Sequence, residues 1–288
     1  FPFGQTFFGF IAVLLMVGNV AAANPAPVWE IRKGLSAPEC AYLVPGKDWL
    51  LISNVGGDAG AKDGVGWITK AAIDGKVIKA KWVSGLNAPK GLASAGGKIY
   101  VADIDELVEI ELESGKILHR YRAPDAKMLN DVAVDTLGKI YVSDTLANKI
   151  YTLESTGLVP FLEGEMLEGP NGLAILNEEL YVAGWGTGIA ADWSTKVPGR
   201  VLSFDLRTHA RREVSQLLGN LDGLARIGDS WVVSDWVAGK VYLLKGAEAP
   251  VLILEDLGGS ADVAWYEKDR LLIVPRMKEN AVSAYRLE

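Results

Sequence analysis

The sequence is poor in the residues that hold soft metal ions and in those that cross-link exported proteins. It contains one cysteine and two histidines among 288 residues. A single cysteine excludes an internal disulfide framework and any multi-cysteine zinc or iron–sulfur site. Two histidines are too few for a histidine-rich metal centre. Any metal that this chain binds must therefore be held mainly by oxygen ligands.

Positive charge is also in short supply. The chain has 29 Lys and Arg residues against 36 Asp and Glu residues, which gives a formal net charge of −7. Negative charge spread along the chain argues against a nucleic-acid partner and against binding to an anionic membrane. Ionisable side chains are absent before Glu30, so the first 29 residues differ in character from the rest.

The first segment has the pattern of an export signal. Residues 7–17 form an uninterrupted apolar run, and residues 21–23 are three alanines that fit a signal-peptidase cleavage site. The run is shorter than the roughly 20 residues of a membrane span. We therefore interpret residues 1–23 as a signal peptide that lacks its basic n-region, so the sequence is expected to begin inside the signal peptide. Residues 24–288 are then the mature domain. A buried strand or a retained membrane anchor is the alternative.

The predicted destination is the periplasm or the medium, with no membrane contact after cleavage. Disulfides form in such compartments, but Cys40 has no second cysteine to pair with. Cys40 lies in an apolar, strand-like run, so we expect a buried and inert thiol.

One supersecondary pattern occurs six times. A residue that is usually polar opens a short apolar segment, a turn follows, and a strand of the type Ile-Tyr-Val-Ser-Asp comes next. The six opening residues, called marker residues below, are Glu39, Lys90, Asn130, Asn171, Asp222 and Ala261. Their spacings are 51, 40, 41, 51 and 39 residues. A unit of about 40 residues with room for four short strands predicts an all-β fold, a six-bladed β-propeller of four-stranded antiparallel blades.

The two ends of the chain predict how the ring closes. After Ala261 the sequence supplies about three strands, and residues 28–32 form a spare strand-like run ahead of the first marker residue. We expect this N-terminal strand to pair as the outer strand of the last blade, because that pairing removes an exposed sheet edge.

The two long spacings predict two lids. Their extra residues, 55–66 and 185–199, follow the second strand of copies one and four. In an antiparallel blade the end of the second strand lies beside the start of the first, so both insertions should overhang the face that carries the marker residues. Copies one and four are opposite each other in a ring of six. The alternative is that both insertions are surface decoration without a function.

The marker residues form a candidate metal site. The first strand of each propeller blade lines the central channel, so the marker residues should converge on the axis. Glu39, Asn130, Asn171 and Asp222 offer two carboxylates and two carboxamides, with a formal charge of −2. Oxygen donors of this kind suit a hard divalent cation, Ca²⁺ first, then Mg²⁺ or Mn²⁺, with Zn²⁺ as a further candidate. The alternative is that these side chains are caps that hydrogen-bond neighbouring blades.

The motifs around these residues resemble those of a known family. They are Ala37-Pro38-Glu39, Asn130-Asp131, Gly169-Pro170-Asn171-Gly172 and Asp222-Gly223. In this order and across nearly the whole mature chain, they resemble the senescence marker protein (regucalcin)/gluconolactonase family of six-bladed propellers.

The resemblance implies a divalent metal on the axis and metal-assisted hydrolysis of a lactone or ester. Glu39 and Asn171 would be metal ligands, and Asn130 would bind metal, substrate or both. Asp222 would be the catalytic residue, a metal ligand that also activates water or attacks the substrate directly.

Four further residues are candidate substrate contacts. Sugar lactonases of this family commonly carry an arginine where this chain has Met128, so we expect a more hydrophobic pocket. Lys90 would pair with Asp222 or Glu39 when no metal is bound, bind an anionic substrate group, or reach solvent from the rim. Trp185 and Trp236 follow corresponding second strands and would either form a pocket wall or pack between blades.

The leading hypothesis is a monomeric, exported, metal-dependent hydrolase that acts on a small molecule. The alternative is a non-catalytic propeller of the NHL or strictosidine-synthase-like kind that binds a ligand or a protein on the same face. The fold by itself does not choose between them, because propellers serve both purposes.

Overall fold

The computed structural model describes residues 24–123, 125–246 and 248–287. The predicted signal peptide, residues 1–23, lies outside these ranges. No helix within them is long and apolar enough to cross a membrane.

The described chain folds into six four-stranded antiparallel sheets, and we number the blades by their marker residues. The strands of blades 1 to 3 and the strand that precedes them are β1 (Trp29–Ile31), β2 (Pro38–Leu43), β3 (Trp49–Asn54), β4 (Gly66–Ala72), β5 (Val77–Leu86), β6 (Pro89–Ala95), β7 (Lys98–Asp103), β8 (Glu106–Glu111), β9 (Ile117–Arg122), β10 (Leu129–Val134), β11 (Ile140–Asp144), β12 (Lys149–Glu154) and β13 (Gly157–Glu163).

The strands of blades 4 to 6 follow in the same order along the chain. They are β14 (Pro170–Leu176), β15 (Glu179–Gly184), β16 (Gly186–Thr187), β17 (Val197–Pro198), β18 (Val201–Asp205), β19 (Arg211–Glu213), β20 (Leu221–Ile227), β21 (Ser230–Asp235), β22 (Lys240–Leu244), β23 (Val251–Leu254), β24 (Ala264–Tyr266), β25 (Leu271–Arg276) and β26 (Ala281–Arg286). Strands β16 and β17 pair only with each other, as a small ribbon inside the insertion of blade 4.

The predicted propeller and its closure are confirmed. Five blades are built from strands in sequence order, and the sixth has the order β1-β26-β25-β24. The N-terminal strand is therefore the outer strand of the last blade, with Trp29 opposite Ala284 and Ile31 opposite Val282. Arg276 of β25 strengthens this seam, since its guanidinium lies 2.9 Å from a carboxylate oxygen of Glu30. Because β1 pairs with β26, the hydrogen-bonding edges that these two strands turn toward each other are both covered.

The apolar core lies between the blades. One cluster joins Leu51 and Ile68 of blade 1 to Val101 and Val108 of blade 2, and further clusters lie between the other pairs of neighbouring blades. Each sheet is therefore covered on both faces, which explains why the second strands are almost continuous apolar runs instead of alternating patterns.

The first strands of blades 1 to 5 each contain a one-residue bulge at the marker residue. In blade 1 the pairing with the second strand shifts between Pro38 and Ala41, and the same shift occurs in blades 2 to 5. A bulge turns the side chain of the extra residue away from its normal alternation and strengthens the local twist. The marker residues therefore point along the axis at the start of each strand.

Hydrogen bonds from the second strands hold these bulges in place. Asp144, the last residue of β11, accepts the backbone N–H groups of Lys127 and Met128 at 2.8 and 3.0 Å. Asp103 and Asp235 do the same in their blades. These aspartates are backbone acceptors, which agrees with a structural role for the repeated Asp.

The serine that precedes the aspartate connects one blade to the next. Ser143 accepts the N–H of Asp131 at 2.8 Å and donates to the carbonyl of Asn171 in blade 4 at 2.6 Å. Ser234 bridges Gly223 and the carbonyl of Ala261 in the same way. The marker residue of one blade is thus positioned by the second strand of the blade before it.

Glycine after the marker residue allows the first strands to approach closely. A Cβ atom on Gly172 would lie 2.1 Å from the carbonyl oxygen of Asp222 in the next blade. Real Cβ atoms do not tolerate such a contact with backbone, so an alanine here must push the two blades apart at the axis.

We therefore expect Gly172→Ala to lower the free energy of unfolding by about 1–3 kcal/mol, the usual cost of overpacking. Urea unfolding measures this change. Gly60→Ala is the matched control, because a Cβ at Gly60 makes only an ordinary 3.5 Å contact, and we expect a change within about 0.5 kcal/mol. Equal stabilities of the two variants would contradict the close approach of the first strands.

Candidate functional site

Five marker residues from five blades line one cavity. The cavity has a volume of about 300 Å³, lies on the axis at the face where the first strands begin, and contains Glu39, Lys90, Asn130, Asn171 and Asp222 in its wall. The structure therefore brings these five marker residues together in one cavity. The sixth, Ala261, is fully buried and does not line the cavity. We call the polar end of the cavity, formed by these five side chains, the floor.

Three oxygen atoms of the floor are buried without a hydrogen-bond partner among the described residues. They are Oε2 of Glu39, Oδ1 of Asn171 and Oδ1 of Asp222. Buried polar atoms are normally paired, and leaving a carboxylate oxygen unpaired costs free energy. These atoms belong to three of the four predicted ligands, from blades 1, 4 and 5. The donor set therefore fits a hard divalent cation bound by oxygen.

The carboxamide nitrogens of the floor are engaged elsewhere. Nδ2 of Asn171 donates to Oδ2 of Asp222 at 3.4 Å. Nδ2 of Asn130 donates to the hydroxyl of Thr145 at 3.2 Å, and this hydroxyl donates to the carbonyl of Pro170 at 2.9 Å. Because both nitrogens are used, both carboxamides keep their oxygens as acceptors toward the cavity.

The two carboxyl groups of the floor destabilise each other's charge. Burial raises the pKa of Glu39 well above its usual range, and the Asp222 carboxylate adds to the shift. Burial also raises the pKa of Asp222, to about 8, with the Asp131 carboxylate contributing. Burial therefore favours the protonated form of both carboxyl groups, and the Lys90 ammonium opposes this shift in pKa. A bound divalent cation would reverse this preference.

No group of three or more His, Cys, Asp or Glu side chains within the described ranges is placed to hold a metal ion. The floor has two carboxylates, so metal binding here depends on the carboxamides of Asn130 and Asn171 as well.

Lys90 does not reach solvent. Only 4% of it is exposed, and its ammonium donates to the carbonyls of Ala88 at 3.0 Å and Ala59 at 3.3 Å. The rim alternative for Lys90 is therefore wrong, because the insertion of blade 1 covers the side chain and offers it a carbonyl. Burial lowers the pKa of Lys90, and the Glu39 charge opposes that shift. Binding of an anionic substrate group stays a prediction.

The other side of the cavity is apolar. Trp185, Trp193 and Trp236 line it together with Met128 and Met277. The ring centroids of Trp185 and Trp193 are 5.9 Å apart in an edge-to-face arrangement, and those of Trp185 and Trp236 are 5.8 Å apart. Trp185 and Trp236 thus form a pocket wall, one of the two roles considered for them. We call these three indoles the tryptophan wall.

Both predicted insertions contribute to the cavity. Gly57, Asp58 and Ala59 come from the insertion of blade 1, whereas Trp185 and Trp193 come from that of blade 4. The two insertions therefore meet at one mouth, as expected from their positions in the ring.

Sequence reasoning missed Thr145, Trp193 and Met277 as cavity residues. Thr145 and Met277 directly follow the second strands β11 and β25, which is the position that Trp185 and Trp236 occupy after β15 and β21. The residue after the second strand is a repeated position, and this position in blades 3 and 6 predicts Thr145 and Met277 as cavity residues. Trp193 has no such signal, since it lies within an insertion that occurs once.

A second layer of buried polar groups lies below the floor and is internally satisfied. Asp131 accepts the N–H of Leu173 in the next blade at 2.6 Å and that of Val132 at 2.7 Å. The thiol of Cys40 is 1% exposed and donates to Asp262 at 2.8 Å. Burial raises the pKa of this thiol, in line with the inert cysteine that the sequence predicts.

Comparison with solved structures places the fold among known propellers. A gluconolactonase from Xanthomonas campestris superposes with a TM-score of 0.64 at 17% identity, over 88% of this chain and 87% of that chain. A virginiamycin B lyase from Staphylococcus aureus gives 0.62 at 12% identity, over 90% and 99%. A chain of a nidogen–laminin complex gives 0.58 at 17% identity, over 78% and 91%. At these identities the likeness shows the fold alone.

The sequence matches no protein-family model and no curated protein.

The charges of the floor predict how stability depends on pH in the chelator-treated protein. The folded pKa of Asp222 is raised to about 8 from an ordinary value of 3.8. The folded state therefore keeps a proton that the unfolded chain releases, so the free energy of unfolding falls as pH rises from about 4 to about 8. Asp222→Asn should show a smaller fall between pH 5 and pH 8 in urea unfolding. Asp58→Asn, at the exposed mouth, should retain the wild-type fall.

Identical pH dependence in wild type and Asp222→Asn would contradict the assignment. Added Ca²⁺ should stabilise the wild type more at pH 8 than at pH 5, because the cation competes with the proton for the same oxygens.

Proposed function

We propose that this protein is a periplasmic or secreted hydrolase that depends on a divalent metal and cleaves a lactone or ester. The observation that carries the proposal is the set of three unpartnered, buried oxygens, from Glu39, Asn171 and Asp222, which converge at the floor of an otherwise apolar cavity. Buried oxygens with no protein partner favour a ligand that supplies positive charge. A propeller that only binds a ligand or a protein does not by itself explain three unpartnered, buried oxygens at this place.

Glu39, Asn171 and Asp222 would hold the cation, with Asn130 binding cation, substrate or both. When bound, the cation would supply a Lewis acid that polarises the carbonyl and stabilises negative charge on its oxygen. Ca²⁺ is the first choice, because all four donors are hard oxygens.

Asp222 would act as the general base. Its Oδ2 is held by Nδ2 of Asn171, which fixes the carboxylate, and its Oδ1 has no protein partner. From this position the carboxylate would take a proton from the attacking water. The apolar wall would exclude other water from the reacting carbonyl and so strengthen electrostatic interactions in the site.

The fold is compatible with this chemistry. A gluconolactonase and a virginiamycin B lyase share the architecture, which supports a hydrolase or lyase type of propeller, although propellers also serve as binding modules. Export rests on the sequence of residues 1–23, and the net charge of −7 argues against a nucleic-acid or anionic-membrane partner.

Hydrolysis of simple lactones and aryl esters tests the proposal. We expect activity that is lost with a chelator and restored by Ca²⁺ or another divalent ion. Asp222→Asn should lose about 10²–10⁴-fold in kcat, the usual range for a general base, and should bind less metal in direct metal analysis. Asp58→Asn is the matched control, because this exposed carboxylate lines the same cavity outside the floor.

Two results would contradict the proposal. One is a wild-type protein that binds no divalent ion and cleaves none of these substrates. The other is full activity in the presence of chelator. Ligand binding without hydrolysis would support the binding-propeller alternative.

A further inference from the structure

We infer that the cavity is specific for a substrate with a flat aromatic group, and that the tryptophan wall selects it against polyhydroxylated lactones. The inference rests on the proposed function, since it names the substrate class of the same site.

With the proposed cation bound by the unpartnered oxygens of Glu39, Asn171 and Asp222, the polar groups of the cavity have few hydrogen-bonding atoms left for sugar hydroxyls. The ammonium of Lys90 already donates to two carbonyls. The amide nitrogens of Asn130 and Asn171 each use one of their two N–H groups, and the hydroxyl of Thr145 donates to the carbonyl of Pro170. A sugar lactone would bury more hydroxyls than these remaining groups can pair, and each unpaired hydroxyl is unfavourable.

The apolar side offers a surface that matches an aromatic ring. Trp193 and Trp236 are half-buried, so parts of both indoles face the cavity, while Trp185 is 4% exposed and supports them from behind. Aromatic rings pack against such indoles in offset or edge-to-face geometry. Met128 and Met277 complete the surface with flexible side chains that adapt to the ligand.

The wall is preformed. Nε1 of Trp185 donates to the carbonyl of Trp193 at 3.0 Å, and the N–H of Trp193 donates to Ala190 at 3.0 Å. Asn220 of blade 5 donates to the carbonyl of Trp185 at 2.9 Å and to the hydroxyl of Thr195 at 3.0 Å. Hydrogen bonds at both ends of the insertion therefore hold the indole of Trp185 and the backbone of Trp193 in place, and a ligand does not have to order these groups.

The cavity volume limits the size of the ligand. About 300 Å³ is at the small end of the range for small-molecule sites. The carbonyl must lie at the floor and the aromatic group at the wall, so a compact bicyclic lactone or a short aryl ester fits the two requirements.

Three six-membered lactones test the inference in the metal-loaded protein: 3,4-dihydrocoumarin, δ-valerolactone and glucono-1,5-lactone. We expect kcat/KM for dihydrocoumarin to exceed that for gluconolactone by at least 10-fold after correction for the uncatalysed rates. Trp193→Ala should lower kcat/KM for dihydrocoumarin about 10-fold and leave δ-valerolactone within about 2-fold. The control is Trp265→Ala, because Trp265 lies outside the cavity and contacts Glu267; we expect unchanged kinetics.

A binding measurement separates this inference from the proposed function. 3,4-Dihydro-2-quinolinone, the lactam analogue of dihydrocoumarin, resists hydrolysis and should quench the tryptophan fluorescence of the wild type but less that of Trp193→Ala. Quenching that depends on Trp193, without cleavage of any lactone, would leave the ligand class standing and overturn the hydrolase. Cleavage with a preference for gluconolactone, or equal losses on all three lactones in Trp193→Ala, would overturn the ligand class and leave the hydrolase standing.

Discussion

A backbone irregularity that recurs in five of the six described blades determines the site: the bulge at the start of the first strand in blades 1 to 5. Regular pleating would send alternate side chains into the spaces between blades, where the apolar clusters lie. The one-residue shift in register frees the marker residue from this alternation, so a polar side chain can face the axis without entering the core. The shift leaves the N–H of Asp131 unpaired in the ladder, and Ser143 accepts it, while Asp144 accepts the N–H groups of the two residues before the strand.

The sequence repeat made the fold predictable. It predicts only those site residues that occupy repeated positions. Six copies with spacings near 40 residues specify six blades, and the short last copy requires a strand from the N-terminus to complete it. Glu39, Asn130, Asn171 and Asp222 were located because position in the repeat fixes position on the axis. Features that occur once follow no such rule. Ala59, the acceptor of Lys90, is 31 residues away in an insertion, and Trp193 lies in another, so neither contact could be derived from periodicity.

The polar floor of the cavity comes from the repeated strands, and part of its apolar side comes from an insertion that occurs once. Repeated first strands supply the oxygens of the floor, which are rigid because neighbouring blades hold their backbones through Ser143 and Ser234. Apolar contacts come from the residues that follow second strands and from the insertion of blade 4. Since the floor belongs to the ring and Trp193 to a loop, substitution of the loop changes what fits the cavity with little effect on the oxygens. Such a separation of scaffold and specificity is typical of propellers and other repeat folds.

Lys90 then has a role in the electrostatics of the floor. Two carboxylates and one ammonium give a formal charge of −1, and a divalent cation would change it to +1. The ammonium is held by the carbonyls of Ala88 and Ala59, so it does not occupy the oxygens of Glu39 and Asp222 that the cation requires. A floor with a residual positive charge in a buried, apolar cavity would stabilise the negative charge that develops on a carbonyl oxygen during hydrolysis. Lys90 is thus compatible with the proposed cation, since its ammonium donates to carbonyls and not to Glu39 or Asp222, and it would favour the proposed transition state.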